Sequence, residues 1–321
     1  MKKQKVLVTG ATGFVGSQVI ERLIQDPSIH ILAGVRVDSS ALSLGVEQFV
    51  IGDLGDSVCA SMAGIDSVIH CAARVHVMDD TSTDPLQEFR RVNVQGTLDL
   101  ARRAADAGVT RFIFISSVKV NGESTEPGHP FAADDTPAPV DPYGISKFEA
   151  EQALIALADE TKMAVVIIRP VLIYGPGVKA NFLSMMKWLH RRVPLPLGAI
   201  HNRRSLLSIE NLVDLITVCM RHPKAVNQVF LASDDEDLSS PELLRRTAAA
   251  LRVKAILLPV PESLIRFSAK LLRLPHVAAR LCGSLQVDIG KTKTLLEWTP
   301  PVSVEQALGN TARHYLDNLK V

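Results

Sequence analysis

Short apolar segments alternate with longer segments whose apolar positions recur every three or four residues in the first half of the chain. The short segments are typical of buried strands and the longer ones of helices with one apolar face. The regular alternation predicts a parallel sheet that helices cover on both faces. The predicted strands are 5–9, 29–35, 47–51, 67–72, 111–116 and 164–169. The predicted helices are 14–25, 85–107 and 143–158.

Three glycines follow the first predicted strand in the segment VLVTGATGFVG, at Gly10, Gly13 and Gly16. The first permits a tight turn, the second lets a pyrophosphate approach the backbone, and the third lets the helix pack on the strand. The N–H groups and positive dipole end of the helix then face the phosphates. This context predicts a dinucleotide site, in which we include Thr12, Phe14 and Val15.

The strand pattern and the glycine turn together predict a Rossmann-type doubly wound parallel sheet with a smaller C-terminal α/β substrate domain. We expect a dinucleotide-binding domain over residues 1–178, to which 208–235 return. Residues 179–207 and 236–321 form the expected substrate domain. Residues 255–274 read as a strand and an amphipathic helix, for which packing on its own domain is favoured over a membrane-surface role.

The net charge is +1 and 47% of the residues are apolar, so a large core is expected and nothing points to nucleic acid. The four cysteines form no C-x-x-C and have no metal-ligand spacing, which predicts reduced thiols, a cytoplasmic protein and no metal. The apolar N-terminal run is too short for a signal peptide, and no stretch is long enough for a membrane span.

The end of the second predicted strand carries Arg36 where NAD sites usually carry an acid that accepts from the ribose hydroxyls. A guanidinium suits a 2′-phosphate instead, so NADP(H) is the favoured cofactor and NAD(H) the alternative, with Asp38 then taking the ribose. Asp53, in the segment GDL with Leu54, is expected to accept from the adenine amino group or to cap the next helix.

Tyr143 and Lys147 stand four residues apart in YGISK, so they lie on one face of a helix. An ammonium beside a phenol lowers the pKa of the phenol, which then serves as a general acid and base near neutral pH. Ser117 follows another predicted strand, at the edge where ligands bind in such sheets. The three residues form the predicted catalytic set.

These motifs, with VIHCAA, NVQGT, IRPVLIYGPG and RRSLLSIENLVDLI, resemble the extended short-chain dehydrogenases/reductases, in the nucleotide-sugar epimerase/dehydratase branch. The resemblance implies that Tyr143 is the acid/base, that Lys147 also holds the nicotinamide ribose and that Ser117 hydrogen-bonds the reacting oxygen. It implies that Ala72, Asn93 and Pro170 line or order the cofactor site. It also implies a nucleotide-sugar substrate, expected to be UDP-linked, and a homodimer built on the helices 85–107 and 143–158.

The resemblance assigns the sugar nucleotide to the second half of the chain. Asn181 and Phe182 match a segment that grips the phosphates and base, and Arg204 and Arg280 match arginines that pair with the diphosphate. A guanidinium fits phosphate oxygens bidentately, although each arginine is also open to a structural ion pair.

Several positions depart from the family pattern. Leu172 replaces an asparagine that is common in the family, and Asn121 stands where sugar epimerases often carry tyrosine. Arg74 and His76 lie close to the expected nicotinamide pocket, where either contacts substrate or only lines a loop.

Val118 and Lys119 follow Ser117 where a dehydratase carries an acidic pair, which argues against dehydration. The motifs look most like those of bacterial 4-keto-6-deoxyhexosamine reductases of surface-polysaccharide pathways, including lipopolysaccharide biosynthesis. With Arg36, they favour reduction of the C4 keto group of a UDP-4-keto-6-deoxyhexose(amine). A UDP-hexose 4-epimerase that holds NAD tightly is the alternative.

Overall fold

The computed structural model describes residues 3–39, 42, 46–55, 61–75, 84–126, 128–272 and 275–319. Its main sheet has seven parallel strands in the order β3-β2-β1-β4-β5-β6-β9. These strands are β1 (Gln4–Thr9), β2 (Ile29–Val35), β3 (Glu47–Val50), β4 (Ser67–His70), β5 (Arg111–Ile115), β6 (Ala164–Pro170) and β9 (Gln228–Ala232). The Rossmann-type parallel sheet predicted from the alternating pattern is confirmed.

Helices cover both faces of this sheet. They are α1 (Phe14–Leu23), α2 (Pro85–Phe89), α3 (Gly96–Asp106), α4 (Pro142–Glu160) and α6 (Ile209–Arg221). A π-helix over Arg90–Gln95 joins α2 to α3, so the single helix predicted over 85–107 carries a wider turn at its centre. Pro85 and Pro142 each stand at the first helical position, and Asp84 and Asp141 cap the two helices.

A second sheet of three strands, in the order β10-β8-β7, lies in the smaller part of the chain. Its strands are β7 (Leu172–Tyr174), β8 (Arg204–Ser208) and β10 (Asp237–Leu238). The remaining helices are α5 (Ala180–His190), α7 (Ser240–Ala250), α8 (Glu262–Leu271), α9 (Pro275–Cys282), α10 (Gly290–Leu296) and α11 (Val304–Asp317). Within the described part of the chain, no helix has both the length and the apolar character needed to cross a bilayer.

Two segments differ from the predicted domain boundaries. Strand β7 precedes residue 178 but pairs with β8 in the second sheet. Leu285 to Trp298 lie beyond residue 236 but contribute buried side chains to the core beneath the main sheet. The smaller unit, which contains the second sheet, is therefore built from segments that alternate along the chain with those of the unit around the main sheet.

A buried ion pair joins α4 to β6 next to the main sheet. Arg169 donates to both carboxylate oxygens of Glu151, at 2.6 to 3.2 Å, and both side chains are almost fully buried. Ser116 donates to the same carboxylate, and Arg169 also reaches the side-chain oxygen of Asn121 at 3.1 Å. Asn121, which the sequence places among the departures from the family pattern, is thus a buried partner of Arg169.

Replacing Arg169 with methionine leaves Glu151 buried without its counter-charge, so we expect a loss of about 3–5 kcal/mol in the free energy of unfolding. The double change Arg169→Met with Glu151→Leu should recover much of that loss, because no buried charge remains. Urea denaturation followed by circular dichroism measures both. Lys293→Met, which breaks the half-exposed pair Lys293–Asp235, is the control and should cost less than about 1 kcal/mol. A loss in the free energy of unfolding for Arg169→Met that is no larger than the loss for Lys293→Met would contradict this assignment.

Candidate functional site

The glycine turn lies where the strand order of the main sheet reverses, between β1 and β4. Gly10 has φ +66°, and a Cβ there would stand 2.8 Å from the backbone nitrogen of Ala72. A Cβ on Gly16 would overlap the carbonyl oxygen of Gly10. Gly10 is required because the chain passes directly over the segment that follows β4. Gly16 is required because α1 packs directly against Gly10.

The first turn of α1 leaves its N–H groups free of side-chain caps. Its N-cap is Gly13, which has no side chain that could accept a hydrogen bond, and Thr12 beside it is exposed. A cavity of about 330 Å³ opens here, lined by the turn, by the segment from Pro176 to Lys179 and by His314. Free N–H groups at a helix N-terminus, beside backbone that no Cβ obstructs, fit the pyrophosphate of a dinucleotide.

The predicted adenosine contacts lie along the same edge of the sheet. β2 pairs with β1 so that Gly34 is level with Thr9, which places the exposed Arg36 beside the glycine turn. Asp53 is exposed after β3 and accepts from the backbone N–H of Gly55 at 3.2 Å, while Leu54 is buried. These positions are where the sequence places them.

Tyr143 and Lys147 both lie on the first turns of α4, and Ser117 follows β5. Ser117 lies close enough to Tyr143 for its side chain to influence the acidity of the phenol. The Lys147 ammonium is buried, donates to the carbonyl oxygen of Ile115 at 2.8 Å and lies 4.3 Å from the centroid of the Phe114 ring. The structure therefore brings the three predicted catalytic residues together.

Burial changes the acidity of both ionisable groups in this set. It lowers the pKa of Lys147 to about 8, although the carboxylate of Glu151 acts in the opposite direction. Exclusion from water raises the pKa of Tyr143, Asp141 adds to that effect, and the side chain of Ser117 opposes it. The prediction that Lys147 lowers the pKa of the phenol is wrong for this structure, because desolvation dominates and the ammonium donates to Ile115.

Asn93 lies in the π-helix and is buried. Its side chain accepts from the backbone N–H of Arg74 at 2.7 Å and donates to the Arg74 carbonyl oxygen and to Ser146, each at 3.0 Å. It thus fixes the segment after β4, which includes Ala72, against α4. Pro170 is buried at the end of β6, and His76 lies outside the described residues.

An aromatic ring and a guanidinium group lie beside the ring of Tyr143. The Phe89 ring meets the Tyr143 ring edge-on at 6.1 Å, and the Arg74 guanidinium lies 5.6 Å from the centroid of Phe89. The sequence predictions did not include Phe89. The signal was its position one turn before Asn93 on the same predicted helix.

His70, at the end of β4, is a second residue that the predictions missed. One ring nitrogen is 2.7 Å from the Thr9 hydroxyl and the other is 3.0 Å from the Thr97 hydroxyl. Complete burial, together with the charge of Lys147, lowers its pKa to about 3. A neutral histidine therefore joins β1, β4 and α3 directly below the glycine turn.

The predicted substrate residues lie in the smaller unit. Arg204 donates to the carbonyl oxygens of Arg280 and Gly283, at 2.9 and 3.0 Å. Burial lowers the pKa of Arg204, and the positive charge of Arg280 lowers it further. Two neighbouring guanidinium groups, whose positive charges repel each other, form a candidate site for a diphosphate.

The other substrate positions differ in exposure. Asn181 is exposed in the first turn of α5, beside Ala180 in a left-handed conformation with φ 52°. Phe182 is buried and stacks on Tyr174 with 5.4 Å between ring centroids. Leu172 is exposed on β7. In the described part of the chain, no group of three or more His, Cys, Asp or Glu side chains is placed to hold a metal ion.

Comparison with known proteins gives a consistent result. A family model described as the NAD dependent epimerase/dehydratase family matches residues 6–232. The chain is 47% identical over 320 residues to a UDP-glucose 4-epimerase of Vibrio cholerae, covering 98% of this chain and 96% of the relative. It is 28% identical over 328 residues, covering 96% and 94%, to N-acetyl-alpha-D-glucosaminyl-diphospho-ditrans,octacis-undecaprenol 4-epimerase of Escherichia coli O157:H7.

The fold comparison agrees with these sequence matches. The structure of UDP-glucuronic acid 4-epimerase from Bacillus cereus in complex with NAD superposes with a TM-score of 0.76 at 20% identity, covering 98% of this chain and 99% of that one. At this level of identity the similarity concerns the fold.

The glycine turn gives a direct test of the cofactor groove. Gly16→Ala places a methyl group against the Gly10 carbonyl, so we expect NAD binding to weaken at least tenfold by calorimetry, because the turn has to open. Gly309→Ala is the matched control: it also lies in a helix, and a Cβ there meets no atom within 4 Å. Equal NAD affinity in the two variants would contradict the assignment of the turn.

The buried histidine gives a test by pH. Between its ordinary pKa of 6.5 and about 3, the unfolded chain holds one more proton than the folded one. The free energy of unfolding should therefore fall as pH falls through this range, by up to about 1.4 kcal/mol per pH unit from this group. His70→Gln should remove that part of the slope in urea denaturation, whatever its stability at pH 7. The exposed His129→Gln should keep it, and a wild-type slope in His70→Gln would contradict the assignment.

Proposed function

Because the chain belongs to the NAD dependent epimerase/dehydratase family, we propose that it interconverts the C4 epimers of a UDP-hexose, with NAD held at the glycine turn. The observation that carries this proposal is the 47% identity, over nearly the full length of both chains, to the UDP-glucose 4-epimerase of Vibrio cholerae. Family membership makes the protein an enzyme of the NAD-dependent oxidoreductase and epimerase class. The reaction at C4 and the particular sugar are the proposed parts.

The catalytic set supports this chemistry in the following way. When bound, NAD supplies the acceptor, and afterwards the donor, of the C4 hydride. Tyr143 takes the proton of the C4 hydroxyl as that carbon becomes a ketone, and returns it after the sugar ring has turned over. Tyr143 enters this step as the phenolate and is a neutral phenol while C4 is a ketone. Ser117 hydrogen-bonds the same oxygen, and Lys147 would hold the nicotinamide ribose.

The residues around Ser117 argue against a dehydratase. Val118 is buried, and Lys119 forms ion pairs with Asp141 and with Glu123, the latter at 3.1 Å. No acidic pair follows Ser117 to remove a proton from C5 and protonate a leaving hydroxyl. The set is therefore complete for oxidation and reduction at one carbon.

Reduction of a UDP-4-keto-6-deoxyhexose(amine) by NADPH is the second candidate. The observation that favours it is Arg36, which is exposed beside the glycine turn where an acid would serve NAD. The similar proteins favour NAD, since the matching family is NAD dependent and the Bacillus cereus structure is a complex with NAD. We therefore place NAD first and assign Arg36 to the surface unless NADP binds more tightly.

The carrier of the sugar is a separate part of the proposal. Arg204 and Arg280 suit a diphosphate, which a UDP-sugar and a polyprenyl-diphosphate sugar share. The closer relative is named for UDP-glucose and the more distant one for an undecaprenol-linked sugar. We propose UDP on that basis, with the role in surface-polysaccharide precursors expected from the sequence.

The cellular location and the assembly of the enzyme are further parts of the proposal. We propose a cytoplasmic enzyme, in keeping with the free thiols of Cys219 and Cys282. We also propose a homodimer through α3 and α4, since α4 leaves Ile155 exposed on its outer side. Sedimentation of an Ile155→Glu variant as a monomer, against a wild-type dimer, is the supporting result.

The purified protein should convert UDP-glucose to UDP-galactose without added cofactor, followed by NMR of the sugar. Parallel reactions contain the N-acetylated sugar, a polyprenyl-diphosphate sugar, and NADPH with a UDP-4-keto-6-deoxyhexosamine. Tyr143→Phe should bind NAD normally but lose about 10²–10⁴-fold in turnover, because the acid/base is gone. Tyr315→Phe is the matched control and should keep the wild-type rate.

Each result has a distinct meaning. Stoichiometric loss of NADPH with a new C4 hydroxyl, and no epimerisation, would replace the proposal with the reductase and support the role of Arg36. Turnover confined to the polyprenyl-linked sugar would keep the reaction and change the carrier. A Tyr143→Phe variant with most of its rate would show that another group moves the proton.

A further inference from the structure

Helix α8 exposes a continuous apolar face. Leu264, Phe267 and Leu271, spaced three and four residues apart, are 52%, 65% and 76% exposed, and Leu272 follows at 67%. Among the described residues of α8, none is buried. The prediction that the amphipathic helix packs on its own domain is thus wrong for this face. Among the described residues of α8, Ile265 is the one packed against the core of the smaller unit.

The neighbouring helix extends the same character. α9 packs against α8 and exposes Val277 and Leu281, which lie one turn apart. The α8–α9 pair, as we call Glu262–Leu271 with Pro275–Cys282, therefore presents large aliphatic and aromatic side chains on both helices. Exposed apolar area of this kind on a folded protein marks an interaction surface.

The sequence that contains these two helices has a strongly one-sided charge. From residue 252 to residue 282 the sequence has six basic residues and one acid, although the whole chain has a net charge of only +1. The acid, Glu262, is paired with Arg266 at 2.7 Å. The basic residues are Arg252, Lys254, Arg266, Lys270, Arg273 and Arg280.

From this combination we propose that the α8–α9 pair docks on an anionic phospholipid bilayer, with α8 lying in the plane of the interface. A helix with a bulky apolar face and a basic remainder is the arrangement that binds such a surface. Phe267 and Leu271 enter the acyl boundary, while Lys270 and the neighbouring basic side chains meet the lipid phosphates.

The docking has a consequence for the diphosphate site. Arg280 lies near the end of α9, and its carbonyl oxygen accepts from Arg204. Because α9 has eight residues, the arginine pair lies within about 12 Å of the start of that helix. The proposed surface therefore holds the diphosphate arginines close to the lipid headgroups.

Vesicle sedimentation tests the proposal without reference to turnover, so its outcome is independent of the reaction. The full-length protein is mixed with vesicles of phosphatidylglycerol and phosphatidylcholine, or of phosphatidylcholine alone. We expect binding to the anionic vesicles only. The double variant Phe267→Ser with Leu271→Ser should bind at least about tenfold more weakly, because two large apolar side chains no longer leave water.

Two further variants separate the contributions. Lys270→Glu should weaken binding about tenfold, and about 0.5 M salt should reduce wild-type binding similarly, because both remove the attraction to the lipid phosphates. Val140→Ser is the matched control, since Val140 is 70% exposed but lies in the acid-rich segment 121–142. It should bind as the wild type does. Circular dichroism and thermal unfolding establish that each variant is folded.

Three outcomes would overturn the proposal. The first is no binding to either kind of vesicle. The second is binding that the double variant leaves unchanged, since another surface would then carry it. The third is a dimer in sedimentation equilibrium, without vesicles, that the double variant converts to monomers, because a second copy of the chain would then cover the face.

Discussion

The architecture of the site depends on a close approach of two backbone segments where β1 and β4 separate. Gly10 passes over Ala72 at a distance that no side chain permits, and Gly16 brings α1 against Gly10. Beneath this crossing, His70 bonds to the hydroxyl groups of Thr9 and Thr97. The protein itself thus fixes the base of the groove, because His70 on β4 is bonded to β1 on one side and to α3 on the other.

Helix α4 positions the predicted reacting groups next to this groove. Tyr143, Lys147 and Glu151 follow one another at intervals of four residues, so one helix face carries them from the groove into the core. Tyr143 meets Ser117, Lys147 meets the end of β5, and Glu151 meets Arg169 on β6. The buried ion pair therefore fixes the rotation of α4 about its axis, and with it the position of the phenol.

The sequence predicts the central sheet, and the proximity of the three residues of the predicted catalytic set, for a physical reason. Buried parallel strands need continuous apolar segments, and the glycine turn and the Tyr–Lys spacing are local patterns. The network of Ser116, Asn121 and Arg169 was not predictable, because its members are far apart in the sequence. The pairing of β7 with β8 was not predicted for the same reason, since it is a long-range property.

The face of α8 illustrates a different limit. Its periodicity correctly predicts an amphipathic helix, but periodicity reports only that one side is apolar and not what covers that side. Likewise, the pKa of Tyr143 follows from burial by the folded chain, which residue spacing does not report. The pattern of a segment thus predicts the element that it forms, but it does not report what covers or buries that element.

The π-helix at Arg90–Gln95 has a consequence for how this site can vary. Such a turn holds one residue more than an α-helical turn, and here that wider turn carries Asn93. Removing one residue from it would restore a regular α-helix, and the wider turn that now brings Asn93 to Arg74 and Ser146 would be lost. The Arg74 segment would then lose its side-chain link to α4. Chain length in this segment is therefore as strictly constrained as residue identity, and insertions and deletions should be tolerated elsewhere on the surface long before they are tolerated here.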